Sequence, residues 1–372
     1  MQTSKDRDRG GRDDPASVAG LAAQEVTLRA PRMHTVAQAV TEDELVFKQH
    51  EPSEPAVITE AVNAVELPAP VRTAMDAYYE HLDDRTPYQW KWLFRAFQEF
   101  QLSTIPECYQ RDVATTRTVL GVFNALLDDV AEENNDRETF WELAKCVYPE
   151  TKPEWGCESI DRQYADVAES MWEIITNIIS EAPRYEEFKD VWLFDVRNAL
   201  TAMDYSDLAS RHHGLVNETE SWLYDTQNVM TVGLSMIDVM YSPSFDTVDL
   251  QPLRETLYRA MEMWRIGNWL MTWRRELTEG DHSSMVVIAA LNEGVVTEEE
   301  LSAVADGEIS REPLIERIEE ANIEAKLLAE WSRRRDLLLT RSNWFESVDI
   351  VEFTEAAEQV LATQLASRDR VK

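Results

Sequence analysis

What most limits the folds open to this chain is the spacing of its apolar residues, which recur at intervals of three and four from about Val71 to about Ser367. In AMDAYYEHL, PYQWKWLFRAFQEF and RDVATTRTVLGVFNALLDDVAEE, that period gathers the apolar side chains on one face of a helix. Pro87 and Pro106 separate the three segments. DRETFWELAKCVY repeats the pattern, and long helices follow from about Ser159 to Ser180 and over RYEEFKDVWLFDVRNALTAMDYSDLAS. ETESWLYDTQNVMTVGLSMIDVMYS reads as one helix closed by Pro243. Gly233 falls in its middle, where glycine costs about 1 kcal/mol relative to alanine and marks a kink or a close approach. The stretch DTVDLQPLRETLYRAMEMWRIGNWLMTWRRELTEGD, two short segments, a charged helix from about Glu312 to Thr340 and a last one to about Ser367 complete the series. No stretch alternates in the manner of a strand. The expected fold class is all-α, a single helical domain over residues 66–372. Residues 1–65, polar and short of aromatics with Pro15, Pro31, Pro52 and Pro55 among them, predict a disordered leader.

The chain has 372 residues, with 12 Trp, 11 Tyr and 11 Phe, enough to fill a sizeable core. Its net charge of −34 argues against nucleic acid or an anionic membrane as partner. Only 8 of its 36 basic residues are lysine, and an acidic, lysine-poor composition resembles that of proteins from extreme halophiles, a halophilic archaeon being the expected source. Three cysteines without CxxC spacing indicate neither a disulfide framework nor a zinc site, and a reducing cytoplasm is the expected location. No run of 18 apolar residues predicts a membrane span.

Two stretches carry chemistry. In IGNWLMTWRRELTEGD, residues 266–281, Asn268, Thr272 and Glu276 stand four apart, so an amide oxygen, a hydroxyl and a carboxylate line one helical face. These are hard ligands suited to Mg²⁺, a cation that keeps several waters and shares its shell with substrate phosphate. Trp264, Trp269, Met271 and Trp273 flank them and make the helix too apolar to face only water. The other stretch, GVFNALLDDVAEENN at 121–135, ends an apolar helix in Asp128, Asp129 and Glu132, with Glu133 as a spare carboxylate, and Asp128 precedes Asn268 by 140 residues. Neither pattern is specific alone in a chain with 70 acidic residues; their order within an all-helical chain is what joins them.

Together they resemble the two metal motifs of class I terpene synthases, the aspartate-rich DDxx(D/E) and the (Asn or Asp)-xxx-(Ser or Thr)-xxx-Glu patterns. The resemblance implies a helical barrel over about residues 70–350 and a Mg²⁺-dependent cyclase that ionises a linear isoprenyl diphosphate, with C20 the preferred chain length. A cluster of roughly three Mg²⁺ ions would bind with the diphosphate, held by Asp128, Asp129 and Glu132 on one wall and Asn268, Thr272 and Glu276 on the other. Arg275 falls where the family places a basic residue for the diphosphate. A sensing arginine is expected some 46 residues before the second motif, but Trp222 stands there. Arg197, Arg211 and Arg265 are the candidates instead. A late Arg-Tyr pair is reduced to Arg341 in TRSNW. One turn behind the ligands, Gly121, Asn124 and Ala125 on one helix and Met261 and Trp264 on the other would form the apolar pocket, with Trp264 facing the cation and Gly233 breaking its helix beside it. The rival readings are a chain-elongating trans-prenyl diphosphate synthase, whose second motif would be aspartate-rich, and a non-catalytic helical interaction protein. Neither nucleic acid nor a membrane span is expected among its partners, and a homodimer is compatible with the reading.

Overall fold

The computed structural model describes residues 55–370 apart from 84, 133–135 and 369, all within one compact unit. Every regular element among the described residues is a helix, as the apolar period requires. In chain order these are α1 (Pro55–Asn63), α2 (Ala69–Tyr79), α3 (Pro87–Glu99), α4 (Glu107–Glu132), α5 (Arg137–Ala144), α6 (Gln163–Ile179), α7 (Tyr185–Arg211) and α8 (Glu218–Leu223). They continue with α9 (Thr231–Met240), α10 (Leu250–Glu279), α11 (Met285–Asn292), α12 (Glu298–Ala305), α13 (Glu312–Glu320), α14 (Ile323–Leu339) and α15 (Ile350–Ala366). Among the described residues, no helix is long and apolar enough to cross a membrane, and all three cysteines are free.

Local chemistry sets most boundaries. Pro87 opens α3 at a position whose N–H needs no helical partner. Asp136 caps α5 by accepting from the Thr139 N–H at 3.0 Å. Thr297 and Glu300 cap α12 reciprocally. Gly280, at φ +79°, ends α10 in the left-handed conformation that glycine adopts without a Cβ penalty.

Three boundaries differ from the expectation. Most of the expected leader, residues 1–54, lies outside the described residues. Its last part is helical: α1 buries Val62 completely and packs on α3 and α15, so the helical body begins before residue 66. The helix expected over ETESWLYDTQNVMTVGLSMIDVMYS is in three pieces, α8, a 3-10 turn at Asp225–Val229, and α9, with Met230 between the last two at φ +52°. The charged helix expected over 312–340 breaks at Asn322, φ +55°, an amino acid that tolerates this conformation.

Helices α4 and α10 are the two that the rest packs around. The first contacts α2, α3, α5 and α6, the second α9, α14 and α15. Each is buried on more than one side, with Phe123 and Leu127 inside on α4 and Trp269 and Trp273 on α10. Both send their remaining face to a common cavity.

Candidate active site

The cavity has a volume of about 210 Å³ and draws its lining chiefly from α3, α4, the Asn228–Met230 break and α10. On α4 the lining residues are Gly121, Asn124, Ala125, Asp128 and Asp129, a single face at helical spacing. Gly121 is small for a reason: a Cβ there would stand 3.3 Å from Leu93 Cδ1. On α10 they are Trp264, Arg265, Asn268, Met271, Thr272, Arg275, Glu276 and Glu279. The two stretches singled out in the sequence therefore meet across one space.

The lining is divided. Trp92, Leu93, Phe97, Val229, Leu234, Met271 and Trp264 make an apolar part, where Trp264 packs edge-on against Phe100 at 4.8 Å between ring centroids. The polar part holds the carboxylates of Asp128, Asp129, Glu276, Glu279 and Asp281 and the guanidinium groups of Arg85, Arg265 and Arg275.

Five of the six expected ligands have described side chains, and they differ in how open they are. Asp128 Oδ1 and Glu276 Oε2 are buried without a hydrogen-bond partner. Burial pushes the Glu276 carboxyl up to about 7, with nearby Asp281 adding to the rise. Burial also raises the Asp128 carboxyl, against the opposing pull of Arg85. Thr272 donates its hydroxyl to the Asn268 carbonyl at 2.9 Å, which leaves the oxygen's lone pairs available. The Asn268 Oδ1 already accepts from Arg265 Nη1.

Asp129 does not fit the role expected of it. Its Oδ2 accepts from Arg85 Nε at 2.8 Å and Tyr78 Oη at 2.5 Å, and its Oδ1 from Arg85 Nη2 at 2.7 Å. Both oxygens are taken, so among the described residues the open donor on this wall is Asp128. The Glu132 side chain and Glu133 lie outside the described residues.

Among the three arginines considered for sensing, one lines the cavity. Arg265 makes two bonds to Asp225, Nε to Oδ2 at 2.9 Å and Nη2 to Oδ1 at 2.6 Å, while Trp269 Nε1 donates to the same Oδ2 at 2.9 Å. Burial disfavours its charge, but Asp225 more than offsets that and raises its pKa. Arg197 instead lies over the Tyr148 ring near Glu150, and Arg211 pairs with Asp207. At the position where an arginine was expected, Trp222 packs edge-on against Trp269, 5.1 Å between centroids.

Three further expectations are corrected. Arg341 lies over Trp344 and 4.0 Å from Glu255, which is 21 residues before Glu276 on α10. At 1.5 Å per residue this puts it roughly 30 Å from the polar end, too far to cap a diphosphate there. Gly233 neither lines the cavity nor breaks a helix: it lies within α9, where a Cβ would meet the Met230 side chain at 3.4 Å and the Asp195 backbone at 3.6 Å. The break it was expected to cause is at Met230. Met261 is buried one turn beneath Trp264 and does not line the cavity.

Sequence reasoning missed Arg85, Asp281 and Gln364. Arg85 follows the aspartate pair of HLDDRTP, which has no acid three residues on, and only the folded chain brings it to Asp128 and Asp129. Asp281 accepts from the Ser283 N–H at 2.9 Å just past the Gly280 cap, a position fixed by that turn. Gln364 reaches in from α15, 100 residues beyond Trp264.

The donor set suits a hard divalent cation. Two buried carboxylate oxygens lack partners, a hydroxyl and an amide oxygen stand beside one of them, and among the described residues no thiol or imidazole lines the space. Among the described residues, no three Asp, Glu, His or Cys side chains already converge as a metal centre. No protein-family model matches the chain, and no curated protein matches it in sequence.

Proposed function

We propose that this protein is a Mg²⁺-dependent class I terpene cyclase with the helical-barrel fold of that family, acting on a linear isoprenyl diphosphate. The observation that carries the reading is the division of one cavity between a polar end with open carboxylate oxygens and guanidinium groups and an apolar end walled by Trp, Phe, Leu and Met. A diphosphate joined to a hydrocarbon chain has the same division.

Asp128, Glu276, Thr272 and Asn268 would hold the metal, the Asn268 amide turning its oxygen from Arg265 Nη1 to do so. When bound, the metal supplies positive charge against the negative charge that develops on the departing diphosphate. Arg265 and Arg275 add fixed positive charge at the same end, where it acts on charge as it forms. Asp225 positions Arg265, and because it bonds two nitrogens of the fork it fixes the plane as well as the place of the guanidinium. The apolar wall keeps water from the carbocation, and the Trp264 ring can stabilise it by about 2 kcal/mol when desolvated. Ionisation needs no nucleophile or general base. A C20 diphosphate is the first substrate to try, with C15 and C25 beside it.

Glu276→Gln and Asp128→Asn test the reading. Each retains shape and removes one charge, so Mg²⁺-dependent diphosphate release should fall on the order of a hundredfold while the circular dichroism spectrum is unchanged. Glu298→Gln, in the exposed first turn of α12, is the control. Normal turnover in Glu276→Gln would reject the site. A requirement for isopentenyl diphosphate as co-substrate would turn the assignment to chain elongation.

A further inference from the structure

We propose that Arg85 is a ligand of the substrate's diphosphate which the substrate-free protein holds on its own aspartates, exchanging one anion for the other when the site is loaded. The inference rests on the functional reading above. Arg85 belongs to the segment between α2 and α3, and its side chain is only 15% exposed. Its fork spans both members of the aspartate pair: Nε and Nη2 bond the two Asp129 oxygens, and Nη2 also bonds Asp128 Oδ2 at 2.9 Å. One positive charge thus serves two carboxylates, in the place where a divalent cation would find its donors.

A second observation points the same way. Arg275 lines the same cavity from α10, where its Nη1 donates to Glu279, and its Nε is buried without a hydrogen-bond partner. Two guanidinium groups from different walls therefore converge on one space. An anion between them would accept from both.

The exchange conserves charge pairing. A divalent cation on Asp128 replaces the positive charge that Arg85 withdraws, and the released guanidinium matches two phosphate oxygens with its fork. Asp129 remains held by Tyr78 Oη, so the carboxylate is not left without a partner when Arg85 departs. Asp128 gains a second open oxygen beside Oδ1. Metal binding and diphosphate binding are then coupled through one side chain: the metal is weak alone because Arg85 competes for its ligands, and strong with diphosphate because that competitor becomes an ally.

Binding measurements without turnover test this. Mn²⁺, read by its electron paramagnetic resonance signal, is titrated into the full chain at fixed molar KCl, first alone and then with inorganic pyrophosphate. Arg85→Gln should bind Mn²⁺ alone about tenfold more tightly than the unaltered protein, and pyrophosphate in the presence of Mn²⁺ about tenfold more weakly. Arg85→Lys, which keeps the charge but loses the fork, should stay near the unaltered protein for Mn²⁺ alone and lose affinity for pyrophosphate; it also serves if Arg85→Gln does not fold. Titrations of the unaltered protein that show binding, superimposed on those of both variants, would overturn the exchange and leave the cyclase reading standing. Tighter Mn²⁺ binding in Arg85→Gln with unchanged pyrophosphate affinity would also overturn it, since Arg85 would then be a counter-ion only. Failure of the unaltered protein to bind pyrophosphate with Mn²⁺ would remove both.

Discussion

Gly267 and Gln364 make the tightest residue-level fit beside the site. A Cβ on Gly267 would stand 1.9 Å from Gln364 Oε1 and 2.7 Å from its Cδ, so α10 carries glycine there because a side chain from α15 occupies the space. Gly267→Ala must therefore push the Gln364 amide aside, at a cost of about 1–3 kcal/mol from overpacking. In a Gln364→Ala background the clash is gone and only the helix preference remains, which favours alanine over glycine by about 1 kcal/mol. The same substitution should lower the melting temperature of the unaltered protein and raise that of Gln364→Ala. An equal effect in both backgrounds would mean that the two residues are not coupled. This pair also shows which parts of the site could be read without a structure. Asp128, Asn268, Thr272 and Glu276 were legible as cavity residues because a helix imposes its period on side chains within one element. Arg85 and Gln364 were not, because their partners are 43 and 97 or more residues away and nothing local distinguishes them from surface residues.

At the scale of elements, α4 is tied to α9 and to the turn after α3 by one buried ion pair. Arg117 and Asp238 are both essentially inaccessible. Arg117 also donates to the carbonyls of Phe100 and Leu234, and Asp238 accepts from the Leu102 N–H at 2.9 Å. Burial pushes the Asp238 carboxyl up to about 6, against the pull of Arg117. The folded protein thus keeps a proton on Asp238 up to about pH 6, whereas the unfolded chain releases it near 3.8. The contribution of this group to stability is therefore greatest below about pH 4, declines as the pH rises, and is constant well above 6. Asp238→Asn does not titrate. Urea unfolding in constant KCl should show the stability of the unaltered protein, relative to Asp238→Asn, falling by about 3 kcal/mol at most between pH 4 and 7. A difference that rises with pH would reverse the assignment. Elements were read well from periodicity and poorly at internal breaks. Met230 and Asn322 both adopt positive φ, and neither is a glycine, whereas Gly233, which invited a break, is a packing contact. A break at a non-glycine residue is a tertiary outcome that local preference does not announce.

For the molecule as a whole, the controlling quantity is the net charge of −34. The arginines are largely spent locally: Arg274 on Glu319 and Glu324, Arg334 on Glu262 and Glu330, Arg335 on Asp336 and Glu358. The part-exposed pairs of Arg274 and Arg335 contribute at most about 1 kcal/mol each and less in salt, so they do not offset the repulsion among the acids left over. That excess acts over distances which dilute buffer does not screen, the Debye length being roughly 30 Å at 0.01 M, and is reduced to contact range, roughly 3 Å, at 1 M. Unfolding separates the like charges, so low salt favours the unfolded chain. Dialysis from molar KCl into dilute buffer should therefore reduce the helical signal at 222 nm, and returning the KCl should restore it. Chloride salts of potassium and sodium at equal ionic strength should protect equally if screening is the cause, whereas the buried pair of Arg117 and Asp238 should be insensitive to either. A helical signal and melting temperature independent of salt from dilute buffer to 1 M would show that the charge is balanced within the fold, and would sever the composition from any adaptation to concentrated salt.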